Sequence, residues 1–198
     1  MCGISGIVTY NKNFNHTKLS SDLKGMVDVI SHRGPDGEGT WIKKNVFFAH
    51  KRLSIIDLSD KAKQPMVSRS GRFVLNFNGE IYNYLELKKI LSNKGYIFFS
   101  NSDSEVLLNS YIEWGDNFLK KLNGVFAFSI FDKKTKNIIL ARDRFGTKPL
   151  YISVFNNTLY FSSEIKSFFK IHNFRKEINF ESLSQYLIFQ NIISNDSL

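Results

Sequence analysis

Cys2 is the only cysteine in a chain of 198 residues, one position behind Met1 and in front of Gly3. A lone free cysteine is commonly a small buried hydrophobe. Position 2 offers other chemistry. A penultimate residue this small normally allows removal of the initiator methionine, and Cys2 would then carry both a thiol and a free α-amine. An α-amine titrates near pH ~8, against ~10.4 for a lysine. It can therefore be neutral and act as a base beside the nucleophile. Gly3 would leave room for a substrate against the backbone.

A nucleophile needs donors for the oxyanion and groups to hold the substrate. "NFNGEIYN" contains Asn78-Gly79 at a strand end. An Asn carboxamide and a glycine N–H there can point two donors at one oxygen; the same pair is also ordinary turn composition. "AHKRLSIID" offers Arg52, able to grip a carboxylate through two parallel hydrogen bonds, or simply a surface arginine beside a strand. "NSDSEV" offers Asp103, able to receive an ammonium group, or simply an acidic residue in the first turn of a helix. Each signal alone is weak. The four histidines, His16, His32, His50 and His172, show no metal-ligand spacing with one another or with Cys2.

The elements that must position these residues are legible as patterns. Residues 4–10 read as a short strand. Leu19, Leu23, Met26, Val27 and Ile30 follow helical spacing, and "SHRGPDGEG" interrupts it as a loop. "NVFFAHKRLSIID" reads as a strand, a bend, and a second strand or turn. In "RFVLNFNGEIYN", Phe73, Leu75 and Phe77 share one face and Val74, Asn76 and Asn78 the other. Residues 84–94 read as a helix with Asn83 as N-cap and Gly95 past its end. "SDSEVLLNSYIEWG" opens with a capping box, Ser102 to Glu105, and stops at Gly115. "GVFAFSIFD", "NIILARDRFG" and "LYISVFNNTLYFSS" read as strands, the last with a tight turn at Asn156-Asn157. Residues 181–190 look helical.

"GVFAFSIF" is apolar on both faces, so it must be covered on both. The short connections favour antiparallel pairing. Stacked antiparallel sheets flanked by helices meet both conditions.

Composition sets the frame. Apolar residues are 42% of the chain, enough for a sizeable core, and the length suits one domain with an attached fragment. The formal charge is +9. The lysines are scattered in pairs, as at Lys88-Lys89 and Lys120-Lys121, with no long basic tract, which reads as a solvated surface and not as a nucleic-acid or membrane-binding one. No apolar run approaches the ~18 residues of a membrane span, and no signal peptide is seen. A single thiol suits the reducing cytoplasm.

Together, "MCGISGIV", "SHRGPDGEG", "AHKRLSIIDLS", "QPM", "VLNFNGEIYNY", "SDSEVLL", "LNGVFAFSIFD", "ARDRFGTKPLY" and "FSSEIK" resemble, in family order, the N-terminal glutaminase domain of glutamine-dependent asparagine synthetases. That domain is a class II glutamine amidotransferase among the N-terminal-nucleophile hydrolases. The resemblance covers essentially the whole chain. It implies an α+β fold, a four-layer αββα sandwich of two stacked, mainly antiparallel sheets between helices. It implies that Cys2 is the nucleophile and its amine the base, that Asn78 and Gly79 form the oxyanion hole, and that Arg52 binds the α-carboxylate of L-glutamine. Backbone groups of Leu53, Ser54, Ile55 and Ile56 would line the same pocket. Glu80 and Asp103 would hold the polar end, with Asp103 on the α-ammonium. The loop His32 to Asp36 would shape the site and the ammonia exit, with His32 a packing residue and not the base.

The domain would span residues 1–180, with 181–198 starting the connection to a synthetase domain. The ATP-binding SGGxDS loop of that second half does not occur here, nor does a GxxxxGK[ST] loop. No cofactor is expected in these residues; ATP and Mg would belong to the absent domain, which would accept ammonia in cis or in trans. A homodimer is compatible with the resemblance. Two other readings stay open: a stand-alone glutaminase feeding a sugar or another carboxylate, and a glutamine- or partner-binding domain without turnover.

Overall fold

The computed structural model describes residues 1–193. Among these described residues, nine strands form two sheets. Strands β1 (Gly3–Thr9), β2 (Gly37–Lys43), β3 (Val46–Arg52), β8 (Tyr151–Phe155) and β9 (Thr158–Ser162) make one, in the order β2-β3-β1-β9-β8. Strands β4 (Met66–Val67), β5 (Phe73–Ile81), β6 (Gly124–Asp132) and β7 (Ile138–Arg142) make the other, in sequential order. Every pairing between these strands is antiparallel. Helix α1 (His16–Asp28) covers the five-stranded sheet, and α2 (Tyr84–Asn93) and α3 (Asp103–Trp114) cover the four-stranded one. The result is the expected α+β sandwich of four layers. Helix α4 (Phe180–Phe189) follows.

The period-two pattern explains the layers. On β5, Leu75 and Phe77 join Leu87, Leu91, Val106 and Leu107 under the helices. Val74, one residue away, faces the other sheet and meets Ile4, Phe48 and Phe161. The doubly apolar β6 lies in the same two environments: Phe126, Phe128 and Ile130 face the helices, while Ala127 and Phe131 face the second sheet. Burial of one such side chain contributes roughly 1.5–3 kcal/mol.

Polar groups also bridge the sheets. Asn76 Nδ2 donates to the carbonyls of Ser5 (3.3 Å) and Ala49 (3.0 Å). His50 Nε2 reaches the Phe77 carbonyl at 3.0 Å. A backbone carbonyl only accepts, so this nitrogen carries the proton. Burial pushes the His50 pKa down to about 4, against the opposing effect of that hydrogen bond.

Several local expectations need correction. "SHRGPDGEG" is not a continuous loop: Ser31–Arg33 form a 3-10 turn, and β2 already begins at Gly37. Asn83 occupies the cap position of α2 but its side chain caps nothing. It instead accepts from Asn123 N (3.0 Å) and donates to Lys121 O (2.9 Å), tying the helix start to the lead-in of β6. The box at α3 is half made. Ser102 Oγ accepts from Glu105 N, whereas the Glu105 carboxylate turns outward to Phe99 N, Ser100 N and Ser100 Oγ. The Asn156-Asn157 turn is as expected, with both residues at positive φ, 50° and 56°, the conformation that joins two strands with matching twist. The last helix starts at Phe180, and positions 194–198 of the expected connection lie outside the described residues.

Candidate active site

One cleft opens at an end of the sandwich, where β1 starts, β3 ends and β5 ends. All ten residues singled out in the sequence line it: Cys2, Arg52, Leu53, Ser54, Ile55, Ile56, Asn78, Gly79, Glu80 and Asp103. They come from four segments that are distant along the chain, and the two sheets bring them together.

Cys2 immediately precedes β1. Its sulfur lies 3.4 Å from Leu53 N and 3.5 Å from Leu53 O, so the backbone of the residue that follows β3 holds the thiol as both acceptor and donor. Its carbonyl accepts from Arg33 Nε at 2.9 Å. Arg33 is itself held by Glu164 Oε1 at 3.0 Å, an oxygen that also meets His32 Nε2 at 2.8 Å. Burial pushes the Cys2 thiol pKa up; the Leu53 hydrogen bond, the terminal ammonium and Arg52 act in the other direction. A thiol kept neutral in this way needs a base to become a nucleophile.

Asn78 is buried, and its Nδ2 has no hydrogen-bond partner among the described residues. Such a donor costs about 1–3 kcal/mol while it stays unpaired. Gly79 sits against β6 so closely that an added Cβ would lie 2.3 Å from Val125 O and 2.7 Å from Phe126 Cα. No other residue type fits there without moving backbone.

Two residues of opposite charge type, Arg52 and Asp103, share the cleft with this donor. Arg52 is half-buried and donates through Nη2 to the Asp57 carbonyl, which ties it to its own loop. Asp103, at the first position of α3, is buried and accepts from Ile81 N at 3.0 Å. Burial raises its pKa to about 6 against its backbone hydrogen bonds, and the neighbouring Glu80 charge adds to the rise. No cation is paired with this carboxylate among the described residues. Glu80 and Ile55 are exposed at the cleft mouth.

The loop His32 to Asp36 supports the cleft from behind and does not line it. Asp36 Oδ2 accepts from Ser54 N at 2.8 Å, and Gly34 lies flat on β3, where a Cβ would be 2.3 Å from the Lys51 carbonyl carbon. His32 is half exposed and engaged with Glu164.

Sequence reasoning missed Gln64, Ser104 and Lys148, which also line the cleft. "QPM" and "RFGTKPLY" stood out as motifs, but nothing local in them signals a position beside Cys2. No group of three or more His, Cys, Asp or Glu suited to a metal occurs among the described residues. None of the described helices is long and apolar enough to cross a membrane.

Comparisons with known proteins bear on the family and on the fold. A family model described as a glutamine amidotransferase domain matches residues 1–198. Asparagine synthetase [glutamine-hydrolyzing] 1 of Bacillus subtilis (strain 168) is 41% identical over 190 residues, covering 96% of this chain and 30% of that protein. Amidase chry2 of Gibberella zeae is 40% identical over 177 residues, covering 85% of this chain and 26% of that protein. The chain therefore spans less than a third of either relative. Among solved structures, the glutamine phosphoribosylpyrophosphate amidotransferase of B. subtilis superposes with a TM-score of 0.71 at 23% identity, over 86% of this chain and 43% of that one. That likeness concerns the fold.

Proposed function

The chain belongs to the glutamine amidotransferase domain family, and from that premise we propose that it hydrolyses the side-chain amide of L-glutamine through a γ-glutamyl thioester on Cys2. The observation that carries the reading is the unpaired, buried Nδ2 of Asn78 in the cleft that holds the Cys2 thiol. A costly orphan donor beside a nucleophile is what an oxyanion hole requires before its substrate arrives.

With Met1 present the Cys2 nitrogen is an amide and cannot act as a base. Removal of Met1 frees it. The amine then takes the thiol proton as sulfur bonds to the amide carbon of glutamine. Charge develops on the amide oxygen, and Asn78 Nδ2 and the Gly79 N–H receive it; one such donor is worth ~3–4 kcal/mol. The C–N bond breaks, the proton passes to the leaving nitrogen, and ammonia departs. Water, deprotonated by the same amine, then splits the thioester and releases glutamate. Arg52 takes the α-carboxylate and Asp103 the α-ammonium, so a substrate lacking either charge leaves a pocket group unpaired. Backbone groups of Leu53 to Ile56 line the same pocket.

In the whole protein we infer that a synthetase domain, in cis or in trans, receives the ammonia for ATP-dependent asparagine formation from aspartate. The Bacillus relative supports that acceptor. The fungal relative, named an amidase, carries the same kind of domain under another name, so a different acceptor is the second reading. Residues 1–180 would form the glutaminase unit. Helix α4, whose Phe180, Leu187, Ile188 and Phe189 are exposed, would begin the connection.

The test is intact mass before and after a diazo-ketone analogue of glutamine, with glutamate release assayed in parallel. Loss of Met1, one adduct on Cys2, and no glutamate from Cys2→Ala are expected. Equal glutamate release by the parent and Cys2→Ala would overturn the proposal.

A further inference from the structure

We propose that Gln64 is a positioning residue for the oxyanion donor, its side-chain amide standing in for a missing strand beside Phe77 and so holding Asn78 in register with Asp103. The inference rests on the hydrolysis reading above.

Strand β4 pairs Met66 with Leu75 and Val67 with Val74, and goes no further along β5. Phe77, two residues beyond Leu75, thus has no strand on that side. Its backbone groups are buried and need partners. Gln64 supplies both: Oε1 accepts from Phe77 N at 2.7 Å, and Nε2 donates to Phe77 O at 3.1 Å. The orientation of the amide is fixed, because a backbone N–H only donates and a carbonyl only accepts. Nε2 also meets Ser104 Oγ at 3.4 Å, on the residue after Asp103. Gln64 is buried and lines the cleft. One side chain therefore clamps the peptide that leads into Asn78 and touches the turn that carries Asp103. His50 gives the Phe77 carbonyl a second donor from the other sheet.

The test compares the 198-residue parent with Gln64→Met, which keeps the side-chain length without the amide, and Gln64→Glu, which keeps the acceptor and loses the donor. A merely structural role lowers the melting temperature and leaves the turnover of folded molecules alone. A positioning role lowers kcat by about 10–100-fold, with KM for glutamine shifting less than about threefold. It also makes the losses non-additive: Asn78→Ala on the Gln64→Met background costs less than about threefold more. The Asn78 carboxamide NMR resonances move in Gln64→Met. Folded Gln64→Met with kcat within about twofold of the parent, or losses that multiply fully, would overturn the assignment. A parent without Cys2-dependent hydrolysis overturns the function instead, and the Asn78 resonances then decide alone: displaced, the clamp stands; unmoved, it falls.

Discussion

Two buried aspartates mark the two ends of the β5–β6 pair. Asp132 sits opposite Phe73 where the pair begins, and Asp103 holds Ile81 N where it ends, roughly 27 Å away at the usual rise per strand residue. They are equally hidden, at 5% and 6% exposure, and their chemistry is opposite. Asp132 receives Arg72 Nε (2.9 Å) and Nη2 (2.6 Å), Lys134 N and Thr135 Oγ1. Those donors hold its pKa far below the usual carboxylate range. Asp103 has no cation, and burial lifts it to about 6. One end of the pair is closed, every acceptor filled. The other end is left open, with an unpaired donor at Asn78 and an uncompensated carboxylate at Asp103. Satisfaction of buried groups contributes stability, and its deliberate absence costs stability and leaves places for a ligand's charges.

Breaking the open end should therefore remove activity and leave the fold. Cys2→Ala should reduce glutamate release to background, and Asn78→Ala should lower kcat by about 100–1000-fold. Neither should lower the melting temperature by more than about 2 °C. A large drop for Asn78→Ala would mean that its side chain is a structural brace.

Asp103→Asn gives a smaller effect on activity and a change of sign on stability. KM for glutamine should rise about 10–100-fold, as expected when a charged hydrogen bond is lost. The native pKa of about 6 lies above the ordinary value of 3.8, so the folded state binds the proton more tightly than the unfolded one. Ionisation of Asp103 therefore opposes folding. The penalty is absent below about pH 4, grows between pH 4 and 6, and is complete above. The neutral variant should be more stable at pH 7 by about 2–3 kcal/mol, and this advantage should vanish below about pH 4. In the parent, kcat/KM should fall as pH drops through about 6, where the carboxylate proposed to receive the ammonium is lost. Denaturant titrations at pH 4 and 7, with a pH–rate profile, check both.

How much of this was readable in advance depends on how local the cause is. The faces of β5, the Asn156-Asn157 turn and the double coverage of β6 follow from period-two patterning and turn chemistry. The β2 start inside "GPDGEG" did not, because glycines signal a break locally. Gly39 is needed there by the Gln64 carbonyl, which a Cβ would approach to 1.9 Å. Asn83 takes the cap position of α2 as expected, but its side chain turns elsewhere for a similar reason: its partners, Lys121 and Asn123, lie about forty residues away. The site residues were individually weak signals, and the family resemblance joined them. Gln64 and Lys148 stayed hidden, since only the assembled sheet brings them to Cys2.

The closed end should respond in the opposite way. Asp132→Ala leaves Arg72 without its carboxylate, though Arg72 is 40% solvent-exposed and stacks on Phe73, which softens the loss. Roughly 1–2 kcal/mol of stability should disappear at pH 7, with turnover per folded molecule unchanged. The native pKa is depressed, so the contribution is complete above about pH 4 and fades below it. Parent and variant should converge in acid. A fall in turnover would mean that the two ends are mechanically coupled along β5.

The smallest predicted change tests what holds the open end open. Ser102 caps α3 through Glu105 N at 3.3 Å, and Asp103 occupies the first position of that helix. A carboxylate at a helix N-terminus is ordinarily stabilised in its charged form, yet Asp103 is raised, so burial outweighs the helix. Ser102→Ala should cost about 1 kcal/mol, as lost caps do. Glu105 N loses its acceptor, which is the source of that cost, while the Ser100 hydroxyl still holds Glu105 Oε2 at 2.6 Å. If the anchor of Asp103 is the strand end, through Ile81 N, KM should move less than about twofold while stability falls. If KM instead rises as far as in Asp103→Asn, the helix cap and not the strand positions the carboxylate. The open end would then belong to α3, and the contrast between the two ends of β5 would have to be redrawn as one between a strand corner and a helix start.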